Sequence, residues 1–293
     1  MNKPNLSIVI PTYNERENIS KMLGKLRKTL RNVKYEIIFV DDNSPDGTSD
    51  EVKFFVQKSP NIHLIHRIGR RGLSGAIIEG IFASNSNLVA VMDCDLQHDE
   101  TKLLEMLALF KQNNSLDLVI GSRFTEDGEI SDKAFSKFRE LGSKMLTFII
   151  KKLLNINSTD PLSGFFMVKK NSFLGHSKGL QTQGFKILAD FLATSGKTIE
   201  FKEVGYRFTN RVLGESKMSL LTALELISLV LSQIMGGKVS IRFILFCIVG
   251  VSGVFVQLAT TGLLMLFTNM FSTSQTVGIF VAMTSNYFLN NYI

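Results

Sequence analysis

The stretch that decides the fold is Leu88-Val89-Ala90-Val91-Met92-Asp93-Cys94-Asp95-Leu96-Gln97, an apolar run that ends abruptly in an acidic cluster. An apolar run bounded by polar residues is typical of a buried strand, and ligands of open α/β sheets gather outside the carboxyl ends of such strands. Asp93, Asp95 and Gln97 carry oxygen donors at alternating positions, which can converge on one hard divalent cation. The alternative is a solvated turn that carries its acidic residues by chance.

Outward from this stretch, short apolar runs alternate with helical patterns over the first two hundred residues. This alternation is typical of βα units around a mostly parallel sheet, so the predicted fold class is α/β. The predicted strands are Leu6–Ile10, Tyr35–Asp41, Ile62–Ile65, Leu88–Asp93, Leu116–Gly121 and Ile199–Tyr206. The predicted helices among them are Arg16–Leu30, Thr48–Lys58, Gly72–Ala83 and Glu100–Asn113.

Polar residues also follow three of the other predicted strands. After the first strand, Pro11 to Glu15 lead into a helix whose backbone N–H groups could hold an anion, unless Asn14 is only an N-cap. After the second strand, Asp41 or Asp42 could accept hydrogen bonds from a nucleobase or ribose, and we expect Ser44 and Asp46 to cap a helix. After the third strand, Arg70 and Arg71 precede a glycine-containing helix start that suits a diphosphate or a ribose.

Several further basic residues have positions suited to phosphate, because arginine binds phosphate in a bidentate way. They are Arg123, Arg139, Arg211 and Lys217. Each of them, taken alone, could equally be a solvated surface charge. His98, beside the acidic cluster, could contact a metal ligand, whereas His63 and His66 would face opposite sides of a strand and form no metal site.

The C-terminal part of the chain differs sharply from the rest, because no charged residue occurs from Phe243 to Ile293. Its length predicts two membrane spans, Phe243–Phe267 and Thr276–Tyr292, joined by a turn around Asn269–Gln275. Lys238 and Arg242 flank the first span, so the positive-inside rule places the preceding domain on the cytoplasmic side of a multi-pass membrane protein. The helix predicted at Phe138–Leu154 suits either a membrane surface or an ordinary core-packed position.

Composition limits the partners and the cellular setting. The net charge of +7 favours anionic partners, among which phosphate metabolites and anionic lipids fit a membrane protein better than nucleic acid. The two cysteines exclude a disulfide framework. The expected organisation is a catalytic domain at 1–216, an amphipathic interfacial helix at 217–241 and membrane helices at 242–293.

Taken in order, these motifs resemble those of the polyprenyl-phosphate (dolichol-phosphate) mannosyltransferases, inverting glycosyltransferases of family 2 with the GT-A fold. The resemblance covers residues 6 to about 220. It adds Gly121-Ser122-Arg123, Asp160-Pro161-Leu162-Ser163-Gly164-Phe165 and Gly214-Glu215-Ser216-Lys217 to the motifs above. The C-terminal tail resembles the first half of a four-span module that is often fused to such enzymes.

The resemblance implies roles for individual residues. It implies that the nucleotide sugar is held by Pro11, Tyr13, Glu15, Asp42, Asp93, Arg211 and Lys217, the last two in a mobile loop. It implies that Mg²⁺ or Mn²⁺ is held by Asp93, Asp95 and Gln97, and the lipid phosphate by Arg123, Arg139 and Ser143. Asp95, Arg123 and Arg139 are then the expected catalytic residues.

The implied reaction is metal-dependent, inverting transfer of mannose from GDP-mannose to polyprenyl or dolichyl phosphate at a lipid bilayer. A phosphate monoester is largely dianionic at neutral pH and can attack without a general base, which agrees with a site rich in Asp and Arg. Two alternatives remain: a polyprenyl-phosphate glucosyltransferase that uses UDP-glucose, and a non-catalytic lipid-phosphate carrier or scaffold. A processive polysaccharide synthase is disfavoured, because its Gln-x-x-Arg-Trp segment needs a tryptophan and the chain has none.

Overall fold

A computed structural model describes residues 3–125, 127–130, 151–152, 156–180, 186–209, 231, 239, 241–268 and 270–292. The chain divides into two compact units, Met1–Lys217 and Met218–Ile293.

The first unit contains alternating strands and helices. The strands are β1 Leu6–Thr12, β2 Tyr35–Asp41, β3 Ile62–His66, β4 Leu88–Val91, β5 Leu118–Ser122, β6 Glu129–Ile130, β7 Phe166–Lys169, β8 Phe201–Gly205 and β9 Arg207–Phe208. The helices are α1 Arg16–Thr29, α2 Thr48–Lys58, α3 Leu73–Ala83, α4 Lys102–Gln112, α5 Lys170–His176 and α6 Ile187–Ser195, with a short 3₁₀ turn at Ser177–Gly179.

Seven strands of the described residues form one sheet in the order β3-β2-β1-β4-β7-β5-β8. All neighbouring pairs are parallel except those of β7, which runs antiparallel to both β4 and β5. The predicted α/β class with a mostly parallel sheet is therefore confirmed. A separate two-stranded parallel pair joins β6 and β9.

Burial on both faces explains why the strands are continuous apolar runs rather than alternating ones. Every residue of β1 and of β5 is buried. Helix α1 covers the sheet with Ile19, Met22 and Leu26, which lie at the three- and four-residue spacing of one helical face.

The structure differs from the sequence prediction mainly around β4, β5 and β7. The strand predicted at Leu88–Asp93 ends at Val91, and the one predicted at Leu116–Gly121 lies at Leu118–Ser122. Strand β7 was not predicted. Its short run of apolar residues does not reveal its direction, because periodicity alone cannot distinguish a buried strand from other buried segments.

In the second unit, two helices pack against each other: α7 Ile241–Met265 and α8 Phe271–Tyr292. A Cβ atom at Gly253 would lie 2.4 Å from Asn286, and one at Gly278 would lie 2.4 Å from Thr261, so small residues allow close approach. Among the residues described, Phe243–Met265 is the one helix long and apolar enough to cross a membrane. Helix α8 begins at Phe271, so the connecting turn is shorter than predicted.

The other membrane-related predictions are not described by the structure. The helix predicted at Phe138–Leu154 and the interfacial helix predicted at 217–241 lie almost entirely outside the described residues.

Candidate active site

Two neighbouring aspartates at the end of β2 have different surroundings. Asp41 is fully buried, and its two carboxylate oxygens accept four hydrogen bonds from three residues, Thr12, Ser44 and Ser49. Each oxygen of Asp41 therefore already accepts two hydrogen bonds from the fold, whereas each oxygen of Asp42 accepts one, so Asp42 is the aspartate of this pair with acceptor capacity left for a ligand.

Asp42 organises the chain that follows β3. Its Oδ1 atom pairs with Arg67 Nη1, and its Oδ2 atom accepts a 2.8 Å hydrogen bond from the backbone N–H of Gly72. Arg67 is itself buried and also contacts Glu79, at 3.2 Å from its Nε atom. These bonds fix the segment 67–72 against the end of β2.

The two arginines predicted to suit a diphosphate or a ribose both have partners within the protein. Arg70 forms a 2.9 Å ion pair with Glu79, and Arg71 lies over the ring of Tyr13, with 5.2 Å between its Cζ atom and the ring centroid. Arg71 and Tyr13 thus form a cation–π pair. Neither Arg70 nor Arg71 is a free cation in the structure.

The expected anion site at the start of α1 is corrected by the structure. The backbone N–H groups of Asn14, Glu15 and Arg16 donate to the side chains of Ser44, Thr48 and Asp46, respectively. The other oxygen of Asp46 accepts the N–H of Thr48 at 2.9 Å, so one carboxylate serves the first residues of both α1 and α2. The anion at this helix terminus is therefore a side chain of the protein.

Pro11 and Glu15 frame the same end of the sheet. Pro11 lies buried in β1 opposite Val40, and the Glu15 carboxylate accepts a 2.6 Å hydrogen bond from Asn18. Together with Tyr13 and Asp42, the residues predicted to bind the nucleoside are brought to one edge of the sheet.

The acidic cluster after β4 is a tight turn. Leu96 adopts a left-handed backbone conformation with φ of 63°, and Asp95 Oδ1 accepts the N–H of Gln97 at 3.1 Å. The Gln97 Nε2 atom donates to the carbonyl of Thr209 at 2.9 Å. This bond fixes the orientation of the side-chain amide, and its oxygen Oε1 points away from Thr209. The turn therefore presents two carboxylates and one amide oxygen.

This donor set fits a hard divalent cation such as Mg²⁺ or Mn²⁺, which prefers oxygen ligands. The described residues contain no cluster of three or more His, Cys, Asp or Glu that could enclose a metal. A cation bound by Asp93, Asp95 and Gln97 would therefore need further oxygen ligands, and a substrate diphosphate or water can supply them.

His98 and Gly164 fix the position of Asp93. His98 Nδ1 accepts the backbone N–H of Asp93 at 3.2 Å, and its ring stacks on Phe165 at 5.2 Å. A Cβ atom on Gly164 would lie 2.8 Å from Asp93 Oδ2, so only glycine leaves room for this carboxylate. The expected contact of His98 with the acidic cluster is confirmed.

Strand β7 explains why these residues meet. Its register pairs Phe166 with Val91 on β4 and with Ile120 on β5. Continuing both ladders by the same alternation brings the preceding Asp160–Phe165 segment between the end of β4, with Asp93, and the end of β5, with Arg123. The predicted metal site and the predicted phosphate site are therefore neighbours.

Arg123 forms a buried bidentate ion pair with Asp160. Its Nε atom lies 2.7 Å from Asp160 Oδ2 and its Nη2 atom 2.8 Å from Oδ1. Burial alone would lower the pKa of Arg123, but the hydrogen bonds and the charge of Asp160 raise it above its usual value. The guanidinium is thus permanently charged and held by a carboxylate that sequence reasoning did not pair with it.

Two further residues of the site were also missed. Lys186 donates to the carbonyl of Leu162 at 3.3 Å, and desolvation together with the positive charge of Arg123 lowers its pKa. Tyr206 is fully buried and contacts His98 and Phe165 edge to face. Burial raises the pKa of its phenol well above the usual value, which keeps it neutral. Neither residue lies in a motif with a recognisable spacing.

Four of the predicted site residues lie outside the described residues. They are Arg139, Ser143, Arg211 and Lys217. Thr209 is the last described residue before the segment with Arg211, and its backbone N–H donates to the carbonyl of Gln97 at 3.2 Å.

Known proteins are similar to this chain in sequence and in fold. The chain is 35% identical over 269 residues to dolichol-phosphate mannosyltransferase of Pyrococcus furiosus, which covers 90% of this chain and 73% of the relative. It is 31% identical to the Saccharomyces cerevisiae protein of the same name, over 73% of this chain and 80% of the relative. It is 32% identical to undecaprenyl-phosphate mannosyltransferase of Micrococcus luteus, over 72% of this chain and 86% of the relative.

A similar fold occurs in the crystal structure of glucosyl-3-phosphoglycerate synthase from Mycobacterium tuberculosis in complex with Mn²⁺, UDP-glucose and phosphoglyceric acid. The TM-score is 0.60 at 16% sequence identity, with 79% of this chain and 80% of that chain covered. This neighbour supports the GT-A fold. The sequence profile of glycosyl transferase family 2 matches residues 7–175. Because the family profile covers more than half of the chain and the relatives are 31–35% identical, the chain belongs to glycosyl transferase family 2 and is a glycosyltransferase.

Proposed function

We propose that this protein transfers mannose from GDP-mannose to a polyprenyl phosphate, giving polyprenyl-phosphate mannose and GDP. The observation that carries the proposal is the position of β7, which brings the acidic turn after β4 next to the arginine at the end of β5. An acidic turn suits the cation that accompanies a diphosphate, and an arginine suits a phosphate acceptor. The names of the relatives support mannose as the sugar and a polyprenyl phosphate as the acceptor.

In this proposal the nucleoside lies at the carboxyl ends of β1 and β2. Pro11 and Tyr13 line it, and Glu15 and Asp42 accept hydrogen bonds from its ribose or base. The contacts of Asp42 with Arg67 and Gly72 hold its carboxylate in place, so little conformational freedom is lost when the nucleotide binds.

The diphosphate of the donor lies beside Asp93, Asp95 and Gln97, which would hold Mg²⁺ or Mn²⁺. When bound, such a cation neutralises the negative charge that develops on the departing nucleoside diphosphate. Arg211 and Lys217 would bind the same diphosphate from the segment that follows Thr209. The amino group of Lys186 lies close enough to Asp93 and Arg123 for both charges to affect its pKa.

The acceptor phosphate binds at Arg123, with Arg139 and Ser143 as its other expected partners. Its second pKa is near 6, so at neutral pH it is largely a dianion and attacks the anomeric carbon without losing a proton. The new bond joins the phosphate oxygen to that carbon while the bond to the nucleoside diphosphate breaks, which inverts the configuration. The protein therefore supplies positioning and charge rather than a general base.

The membrane arrangement belongs to the same proposal. In this proposal α7 and α8 serve as the predicted membrane hairpin, the segment 217–241 as the predicted interfacial helix and residues 1–216 as the catalytic domain, as expected of an enzyme whose acceptor is an insoluble lipid. Lys238 before α7 and Arg242 in its first turn favour the cytoplasmic side for that domain.

The test is a donor and acceptor assay with the full chain in membranes. GDP-mannose and UDP-glucose, each labelled in the sugar, are supplied with polyprenyl phosphate, with and without EDTA. We expect label in the lipid from GDP-mannose and its loss with EDTA. Label from UDP-glucose alone would support the glucosyltransferase alternative. Absence of transfer from every nucleotide sugar would support the carrier or scaffold.

A further inference from the structure

The ion pair between Arg123 and Asp160 uses both carboxylate oxygens. Asp160 is fully buried and accepts three hydrogen bonds from Arg123, from its backbone N–H at 3.2 Å, from Nε at 2.7 Å and from Nη2 at 2.8 Å. A bidentate contact of this kind fixes the plane and the direction of the guanidinium as well as its charge.

The turn that carries Asp160 is itself fixed by hydrogen bonds to two strands. Glu203 on β8 accepts hydrogen bonds from Ser158 Oγ and from the backbone N–H of Thr159, both at 2.7 Å. Ser122 on β5 and Thr159 share a hydroxyl hydrogen bond of 2.6 Å. The turn that carries Asp160 is therefore attached to β5, the strand that ends directly before Arg123, and to its neighbour β8, and Asp160 cannot shift without breaking these bonds.

Aromatic rings enclose the guanidinium. Its Cζ atom lies 5.2 Å from the ring centroid of Phe124 and 5.5 Å from that of Phe208. Within the described residues, Arg123 Nη1 donates no hydrogen bond, whereas Nε and Nη2 both bind Asp160. The outer edge of the guanidinium is thus the part that can bind a phosphate.

The pair as a whole is neutral, which limits what it can contribute to binding. A neutral pair attracts a distant dianion much less than a lone arginine does, so net attraction must come from other cations. The contribution of the pair is directional: it presents N–H donors at a fixed angle.

We propose that Asp160 is a positioning residue that orients the Arg123 guanidinium toward the acceptor phosphate and acts on the reaction only through Arg123. This inference rests on the proposed function, since it takes a phosphate acceptor at Arg123. It assigns no proton transfer to Asp160.

The test is a double-mutant cycle on the full chain with Asp160→Asn, Arg123→Gln and the combination of both. If Asp160 acts through Arg123, Asp160→Asn lowers kcat/KM for polyprenyl phosphate by about 10- to 100-fold, the effect of a misplaced binding group. Arg123→Gln lowers it at least as much. The double variant then equals Arg123→Gln to within about twofold, because the two changes remove one shared interaction.

A second readout separates positioning from a purely structural role. Binding of GDP with Mn²⁺, measured by calorimetry, is expected to stay within about twofold of the wild type in all three variants, since the donor end is not altered. Parallel losses of GDP affinity and of melting temperature would show that Asp160 only supports the fold, and would overturn the proposal. A double variant less active than Arg123→Gln would show an independent role, and would also overturn it.

The proposal can be tested even if one of the single variants fails to fold. Asp160→Asn leaves a buried arginine without its carboxylate, but the double variant replaces the pair by two neutral groups of similar shape, which is the less disruptive change. If Asp160→Asn fails to fold, comparing the activity of the double variant with that of Arg123→Gln still shows whether Asp160 acts only through Arg123. Wild-type protein that transfers no sugar to polyprenyl phosphate would refute the proposed function instead, before any variant is compared.

Discussion

The carboxyl ends of β1 and β2 and the carboxyl end of β4 are built in different ways. At the first, side chains bind each other and the backbone: Asp41 is saturated, and Asp46 serves two helix termini. At the second, Asp93 stays 38% exposed in its side chain and faces a glycine. The first region offers a fixed shape, suited to a nucleoside, and the second offers charge, suited to groups whose charge changes during transfer.

The largest effect is expected at the second region, from Asp95→Asn. Loss of a cation ligand removes several kcal/mol of stabilisation from the leaving group, so transfer should fall on the order of 1000-fold. The transfer rate is measured as labelled lipid formed per minute. Asp99→Asn is the matched control, because Asp99 only caps Thr101 and asparagine caps equally well. Equal activity of the two variants would contradict the metal site.

Asp41→Asn and Asp42→Asn test the first region, because Asp41 is expected to stabilise the fold and Asp42 to bind the nucleotide. Asp41→Asn should weaken several buried hydrogen bonds, which costs roughly 2 kcal/mol and lowers the melting temperature by about 4–8 °C, with nucleotide affinity little changed. Asp42→Asn should also lower the melting temperature, because the buried Arg67 loses its carboxylate partner, but it should in addition weaken GDP binding by roughly tenfold, as a bond to a charged group is lost. Calorimetry and thermal unfolding distinguish them. The reverse result would exchange the roles of the two residues.

Gly164→Ala should shift the Asp93 carboxylate, because the added Cβ would lie 2.8 Å from Oδ2. We expect Mn²⁺ affinity to fall by about tenfold, the usual effect of disturbing a ligand's surroundings. Electron paramagnetic resonance of free Mn²⁺ measures this without relying on activity. Gly24→Ala in α1 is the control, since nothing lies within 4 Å of its Cβ. Unchanged Mn²⁺ affinity in Gly164→Ala would show that Asp93 is not a ligand.

The smallest effect concerns pH and the carboxylate shared by α1 and α2. Desolvation raises the pKa of Asp46, but hydrogen bonds from Thr48 and the Arg16 N–H outweigh it and lower the pKa below 3.8. Its stabilising contribution is therefore complete above that value and is lost as pH falls through the lowered pKa. The melting temperature of the wild type should decrease below about pH 4 more steeply than that of Asp46→Asn.

Asp50→Asn provides the comparison for this prediction. Asp50 pairs with Lys53 on an exposed surface, and such pairs add little to stability. Its pH profile should follow the wild type. A profile of Asp46→Asn that also follows the wild type would show that the shared carboxylate does not hold the first region together.

The sequence alone predicted the parallel half of the sheet well, because β1, β2 and β3 are apolar runs that stop at polar residues. It also placed Asp93, Asp95 and Gln97 correctly in one turn, since alternating donors after a strand are visible as spacing. The role of His98 followed from its proximity to Asp93 along the chain.

Contacts between distant segments could not be predicted in the same way. Asp160 pairs with Arg123 across a separation of 37 residues, and β7 inserts between strands that come much earlier in the chain. The N–H groups near Arg16 could be expected to bind an external anion because nothing in the local sequence shows that Asp46 occupies them. A signal was available for the ion pair, namely an aspartate in a Ser-Thr-Asp-Pro turn with no partner nearby, but it does not identify the partner.

The antiparallel strand has a consequence for how such an enzyme can change. Since β7 pairs with β4 on one side and with β5 on the other, a single residue inserted between Asp160 and Phe166 would shift Gly164 relative to Asp93 and Asp160 relative to Arg123 at once, and would reverse which side chains of the segment face inward. The fit of the acidic turn after β4 and of the arginine after β5 to the chain between them is thus set by the length of one short segment, so evolution can exchange its side chains more readily than it can add or remove a residue.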